Sequence, residues 1–454
     1  MSLDLASILA YFPFVQDWVI SFWWLWVFLA LFFLGRALWL AYVQDCYRTY
    51  PKVIFELRIP REIRKTPRAM EQVFTSLHAL KNVAGNFEEK WIQGEVPEVF
   101  SCEVASFGGE VHFYMRVPKR HENMVKAALY GQYPDMEIEE VEDYVYRMPF
   151  TFKELSNTGY NIFGNELRLT KPERNVKGEL VGGDVYPIRT YIDFEAVDEI
   201  KELDPIAPLL ELLGNLKPQE QIWVQIVLQP LSNFKDVHGP DEIENWKKKG
   251  QDVIERIKGT SRSAIDPKTG DTVFTFPSPT DTEAMKAIDR TIGKPGFWTV
   301  IRYLYIAPKE MYTTNFGQRG VFSALNQYAT EGYNKFGHNI WAWTRTSMWY
   351  SPYFFPRRRG RARRERIYWN YRTRKTYDDT LIARLFHIKF FHLGLGLYRT
   401  RFVMNTECLA TIYHMPTYLS LTGPFIKRVE AKRGGPPAGL PIYGGEGEEL
   451  PGVK

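Results

Sequence analysis

The chain has 454 residues, 58 Lys and Arg against 53 Asp and Glu, and 45% hydrophobic residues. That excludes a disordered chain and leaves room for two or three domains with a sizeable core. Three cysteines at no short spacing (Cys46, Cys102, Cys408) exclude a disulfide framework or a CxxC metal site, and fit a reducing cytoplasm. The net charge of +5 is unevenly placed: residues 357–375 carry +9, residues 36–65 carry +4, and the remainder is −8. A protein that coats nucleic acid over its whole surface is thereby excluded.

Residues 1–17 contain Asp4 and Asp17 but no Lys or Arg. From Trp18 to Gly35 run 18 uncharged residues, WVISFWWLWVFLALFFLG. As a helix they cover roughly 27 Å, close to the ~30 Å hydrocarbon core of a bilayer. A transmembrane helix is predicted over 18–43, with Trp39 and Tyr42 at an interface and Arg36 snorkelling to headgroups. Seven basic residues follow between 36 and 65. The positive-inside rule then puts 1–17 outside and the bulk in the cytoplasm, as a single-pass protein. Neither the basic start nor the small-residue cleavage site of a signal peptide is present.

Strands and helices alternate after Lys52. VIFELRI (53–59) reads as a strand and 68–82 as a helix with Met70, Val73, Phe74, Leu77 and Leu80 at helical spacing. FSCEVASFGGEVHFYMRV (100–117) reads as a hairpin turning at Gly108-Gly109, followed by a helix after Pro118 and a strand at 136–144. The order is βαββαβ, a ferredoxin-like unit over 50–146. A second such unit is expected over 186–346: strand 189–196, helix 205–216, strands 221–230 and 297–308, helix 319–332 and strand 338–346. Residues 233–295 read as an insertion between its central strands. The fold class is α+β: a transmembrane helix, two ferredoxin-like units and a helical, Pro/Gly-rich C-terminal tail.

Residues 347–375 join an aromatic cluster to an arginine run. One reading is a solvated excursion. A second is anionic lipid, with Trp349, Tyr350, Tyr353, Phe354 and Phe355 entering the headgroups while Arg357, Arg358, Arg359, Arg361, Arg363 and Arg364 meet the lipid charge. A third is nucleic acid, with the same arginines on phosphates and Tyr368, Trp369 and Tyr371 offering stacking faces. Residues 376–430 read as a helical region, in which Arg384, His387, Lys389 and His392 argue against a second span. Residues 431–454 read as a flexible tail.

Motifs for catalysis are missing. The nearest approach to a phosphate loop, Gly293-Lys294, has Ile288 for the first glycine and Pro295 for Ser/Thr. Gly394-Leu395-Gly396 and Gly445-Glu446-Gly447 lack the third glycine of a dinucleotide fingerprint. No HExxH or GxSxG occurs. His112 on a strand reads as a packed or surface residue, and the run Glu137, Glu139, Glu140, Glu142 as a solvated strand face. No catalytic residue, metal ligand or cofactor is expected.

The stretch FVMNTECLATIYHMPT (402–417), followed by IKRVEAKRGGPPAGLP (426–441), resembles the lead-in to the motor domain of membrane-anchored type IV secretion and conjugation-type ATPases. Residues 59–80, 108–135 and 216–230 resemble the non-motor half of the same proteins. The chain stops at Lys454, where their P-loop domain would begin. The resemblance therefore implies a scaffold or docking subunit in a bacterial cytoplasmic membrane, serving a secretion or DNA-translocation machine whose P-loop ATPase is a separate polypeptide. Oligomerisation is left open. The alternative is a membrane-tethered protein that binds nucleic acid or anionic lipid without a motor partner.

Overall fold

The computed structural model describes residues 21–60, 65–81, 85–170, 183–194, 203–232, 242–260, 278–330, 332–340, 342–346, 355–375 and 401–417, with short pairs at 173–174, 180–181, 264–265 and 272–273. The expected N-terminal stretch 1–17, the first three residues of the 18–43 span and the tail 431–454 lie outside them. Helix α1 (Trp23–Arg48) is long and apolar enough to cross a membrane. It runs five residues past the expected end at 43, because Ala41, Val43 and Tyr47 are buried against the rest of the chain.

Strand β1 (Lys52–Arg58) follows, then α2 (Pro67–Leu77), which opens with proline at its start and turns Met70, Val73, Phe74 and Leu77 inward. Strands β2 (Phe100–Phe107) and β3 (Glu110–Pro118) form a hairpin. Both turn residues, Gly108 and Gly109, have positive φ, and a Cβ on either would meet backbone of the 214–218 loop within 3 Å. Helix α3 (Glu122–Gln132) and β4 (Glu137–Val141) complete this half, and α4 (Phe152–Asn157) begins under a Thr151/Glu154 capping box.

Strand β5 (Tyr160–Leu169) comes next, ahead of α5 (Ala207–Gly214) and β6 (Gln221–Pro230). Helices α6 (Glu242–Thr260) and α7 (Pro279–Gly293) lie between β6 and β7 (Gly296–Pro308), two strands that pair with each other. Helix α8 (Thr314–Leu325), β8 (Phe336–His338), α9 (Pro356–Thr373), β9 (Phe402–Asn405) and α10 (Thr406–Ile412) close the chain.

Where two ferredoxin-like units are expected, the nine strands form one continuous antiparallel sheet in the order β8-β5-β7-β6-β2-β3-β1-β4, with β9 beside the start of β7. β2 and β6 are buried along almost their whole length, so leaving either as an edge would strand backbone groups and apolar side chains together. They pair instead, from Phe100↔Leu228 to Phe107↔Gln221. Three further expectations are corrected. Residues 191–193 are a 3-10 turn and not part of a strand, because Thr190 and Asp193 form a capping box; residues 195–196 lie outside the described residues. The strand expected at 338–346 shrinks to β8, because Asn339 O accepts from Ala342 and Trp343 and turns the chain. Residues 402–405 are a sheet strand inside the expected helical region; 376–400 and 418–430 of that region lie outside the described residues.

One face of the sheet packs Phe55, Phe113, Ile226 and Tyr303 under α2, α3, α5, α8 and α10. The opposite face carries Ile54, Tyr114, Trp223 and Leu304 and is covered by α4 and α9. A third apolar cluster around Trp246 and Ile288 joins α6 to α7.

Candidate functional site

The arginine run is helix α9, not a solvated excursion. Its anchors are buried and polar. Arg374, the residue after the helix, adopts a left-handed φ of 53° and sends its guanidinium into the sheet. There Nε and Nη2 each donate to Glu103 of β2 at 3.0 Å, and Nη2 also donates to Asp143 at 2.9 Å. Burial alone would raise the Glu103 carboxyl; the Arg374 charge and hydrogen bonds override it and hold it down to about 2. Ser101, Tyr144 and Gln225 donate to the same carboxylate. Arg302 of β7, fully buried and 3.3 Å from Glu166, donates to the carbonyls of Asn370 and Lys375 at 2.6 Å each. It thereby satisfies acceptors that a helix C-terminus leaves open.

The N-terminal half of α9 is different. Arg357, Arg361 and Arg364 recur at i, i+4 and i+7 and so share a helix face. That face borders two depressions of about 520 and 460 Å³ that share Thr346 and Arg364. The first is lined also by Phe152, Ser156, Asn161 and Lys309, the second by Tyr312, Gln318, Arg319 and Arg345. Among the described lining residues are five arginines and one lysine and no carboxylate. Arg319, Arg345, Arg357 and Arg361 are exposed to solvent. Such a groove concentrates positive potential.

The position of the groove relative to α1 follows from the strand register. Helix α1 meets the sheet where β1 starts: Arg120 bonds Tyr47 and Glu98, and Lys119 N–H donates to Pro51 O. The start of β2 lies at the same end, opposite Leu228, and Pro230 pairs with Phe297 at the start of β7. β7 then runs 13 residues before Lys309, about 40 Å at strand rise. The groove lies at the end of the strands away from α1.

The remaining predicted residues divide sharply. Arg358 is exposed and outside the groove lining. Arg359 is half-buried. Arg363 donates to the carbonyls of Ile340, Trp343 and Arg345 and so holds the loop before α9. Tyr368 and Tyr371 are no stacking platform: both are fully buried, the first donating to Pro149 O and the second paired with the Tyr144 hydroxyl. Trp369 is partly exposed, edge-on to Phe150, and lines neither depression. Phe355 is exposed with φ 52°. Trp349, Tyr350, Tyr353 and Phe354 lie outside the described residues. Lys309, Arg319 and Arg345 were not among the predicted residues, since they stand singly on other elements.

Two other polar clusters are consumed by packing. Lys294, at the rejected phosphate-loop position, pairs with Glu71 at 2.6 Å and Glu407 at 2.8 Å. Tyr191 donates to Glu71, and Thr190 to Glu407. In the 402–417 stretch, His414 places Nδ1 2.8 Å from Ala410 O and Nε2 2.8 Å from Asp204. Burial would raise Asp204, but the His414 charge and hydrogen bond hold it at about 2.

These shifts predict an acid limb. Glu103 and Asp204 have folded values below their ordinary 4.5 and 3.8, so their stabilisation is complete above those values and drains away as pH falls toward about 2. His78, pushed by burial from 6.5 to about 4, adds an earlier and smaller loss below pH 6.5. The urea midpoint of the detergent-solubilised chain should decline gently below 6.5 and steeply below 4.5. A constant midpoint down to pH 3 would overturn this.

Residues 48–334 match a family model described as a domain of unknown function (DUF8128). The match covers more than half of the chain, which therefore belongs to that family. No curated protein matches it.

Proposed function

We propose that this DUF8128 protein is a non-enzymatic docking subunit, anchored by α1 in a bacterial cytoplasmic membrane, that holds single-stranded nucleic acid for a translocation machine driven by a separate P-loop ATPase. The observation that carries the polyanion is the groove: six basic residues and no carboxylate among its described lining, at the far end of the strands from the anchor. Lipid headgroups of the anchoring bilayer lie at the wrong end to fill it. With Tyr368 and Tyr371 buried, the groove offers charge and little stacking, which suits a sugar-phosphate backbone without sequence preference.

The machine and its ATPase rest on the resemblance to type IV secretion and conjugation proteins. The strand order is consistent with two ferredoxin-like units: each half runs βαββαβ, and each takes its fourth, first, third and second strands in that order across the sheet. The basic flank 36–65 supports an N-terminus outside and the bulk in the cytoplasm.

Carbonate extraction should leave the chain in the membrane pellet; release into the supernatant, or shielding of the C-terminus from cytoplasmic labelling, would overturn the topology. A pull-down of the full chain from detergent extract, read by mass spectrometry, should recover a P-loop ATPase in comparable amount. If nucleic acid binds and no ATPase is recovered, the second reading stands: a membrane-tethered nucleic-acid-binding protein with no motor partner.

A further inference from the structure

A second apolar feature lies beside α1. Residues 86–93 leave the sheet between α2 and β2 and turn through a short π-helical stretch, Glu89–Gln93. This segment is fastened to the anchor. Trp39 Nε1–H donates to Trp91 O at 2.7 Å, and the Arg36 guanidinium lies 4.7 Å from the centre of the Trp91 ring. Gly94 follows with φ 68°, packed where any Cβ would collide with the Val43 carbonyl. Phe87 stacks on Trp91 with ring centres 6.0 Å apart.

Outside this attachment two apolar side chains of the segment face solvent, set among the polar Asn86, Glu88, Glu89, Lys90 and Gln93. Phe87 is 72% exposed and Ile92 64%, at the level of α1 where Trp39 is 53% and Tyr42 63% exposed. The uncharged run ends at Gly35, and Trp39 and Tyr42 follow it in the helix as interfacial aromatics do, so Trp39 belongs at the headgroup boundary. Whatever is bonded to Trp39 shares its depth.

We propose that residues 86–93 form a second membrane contact, with Phe87, Trp91 and Ile92 inserted at the headgroup–acyl boundary of the bilayer that α1 crosses. The occupant is lipid, because the patch is continuous with the membrane-spanning surface and is held there by Trp39 and Arg36. A lone helix can tilt and rotate; two points of contact fix how the sheet stands on the membrane. This inference rests on reading α1 as an anchor.

The test uses the full chain with Cys46→Ser, in vesicles of phosphatidylcholine and phosphatidylglycerol; Cys102 and Cys408 are buried. An environment-sensitive dye is attached in turn through Phe87→Cys, Ile92→Cys, Leu31→Cys within α1, and Lys153→Cys at the groove end. At 87 and 92, iodide quenching should be several-fold weaker than at 153, and nitroxides near the headgroup should quench more than nitroxides deep in the chains. At 31 the deep nitroxides should win. If 31 behaves so while 87 and 92 quench with iodide like 153, the second contact is refuted and the anchor stands. Protection from iodide without nitroxide quenching would mean that protein, such as a second copy, covers the patch, and would equally refute it. If 31 itself escapes the deep nitroxides, the anchor reading fails and takes this inference with it.

Discussion

Replacing Arg374 with Met should destabilise the folded chain by about 3–5 kcal/mol, the cost of breaking a buried ion pair from one side. Glu103 would remain fully buried with its main counter-charge gone, and Asp143 would lose two donors. Methionine fills much of the volume, so the loss reports charge and not a cavity. Glu103→Gln in the same background should recover part of it, because the orphaned charge is then absent. Urea denaturation of the detergent-solubilised variants measures both, and the cycle of single and double substitutions isolates the coupling. If Arg374→Met shifts the urea midpoint no more than Arg358→Ser, an exposed control on the same helix, the pair does not hold α9 on the sheet.

The second large effect concerns ligand. Changing Arg319, Arg345, Arg357 and Arg361 together to Ser should weaken single-stranded DNA binding at low salt by at least about tenfold. All four are exposed, so the fold has little to lose. The slope of log K against log salt is about −0.7 per phosphate neutralised on a single strand, so four lost contacts should flatten it by about 3. Arg358→Ser, outside the groove, should leave both quantities nearly unchanged. Affinity for anionic vesicles that falls in parallel, in the absence of DNA binding, would return the arginines to the lipid reading. A quadruple variant with wild-type affinity for both would reduce the groove to a solvated surface.

The elements over 52–141 were legible because local signals dominate there: alternation in β1 and β3, helical spacing in α2, and two glycines at a turn only glycine can make. β5 was not. Buried on both sides at its centre, it shows no alternation, and its Asn165 and Glu166 are acceptable there only through His338 and Arg302, over 130 residues away in sequence. The 189–196 stretch misled in the opposite way. It alternates like a strand, yet Thr190 and Asp193 close a turn on their own backbone.

For the site, composition was legible and sorting was not. The run announced a basic element, and the i, i+4, i+7 spacing of Arg357, Arg361 and Arg364 was readable once the run is taken as a helix. No spacing could say that Arg363 and Arg374 are occupied with carbonyls and carboxylates, or that Tyr368 and Tyr371 are core. The groove's other wall, Lys309, Arg319 and Arg345, depends on how the end of β7, helix α8 and the loop before α9 bring single residues to one place. Such convergence is a tertiary property.

The covering of the sheet by α9 also sets a timetable. Glu103 and Arg374 are 271 residues apart. Ribosomes add about 5–20 residues per second, so the carboxylate is made roughly 15–50 s before the guanidinium that neutralises it. α1 and most of β2 precede that interval, β6 is completed part-way through it, and from then until α9 is made one face of the growing sheet lacks that helix. The nascent chain therefore waits, half-covered, for α9, and a ribosome that stalls before residue 374 leaves Glu103 without its arginine.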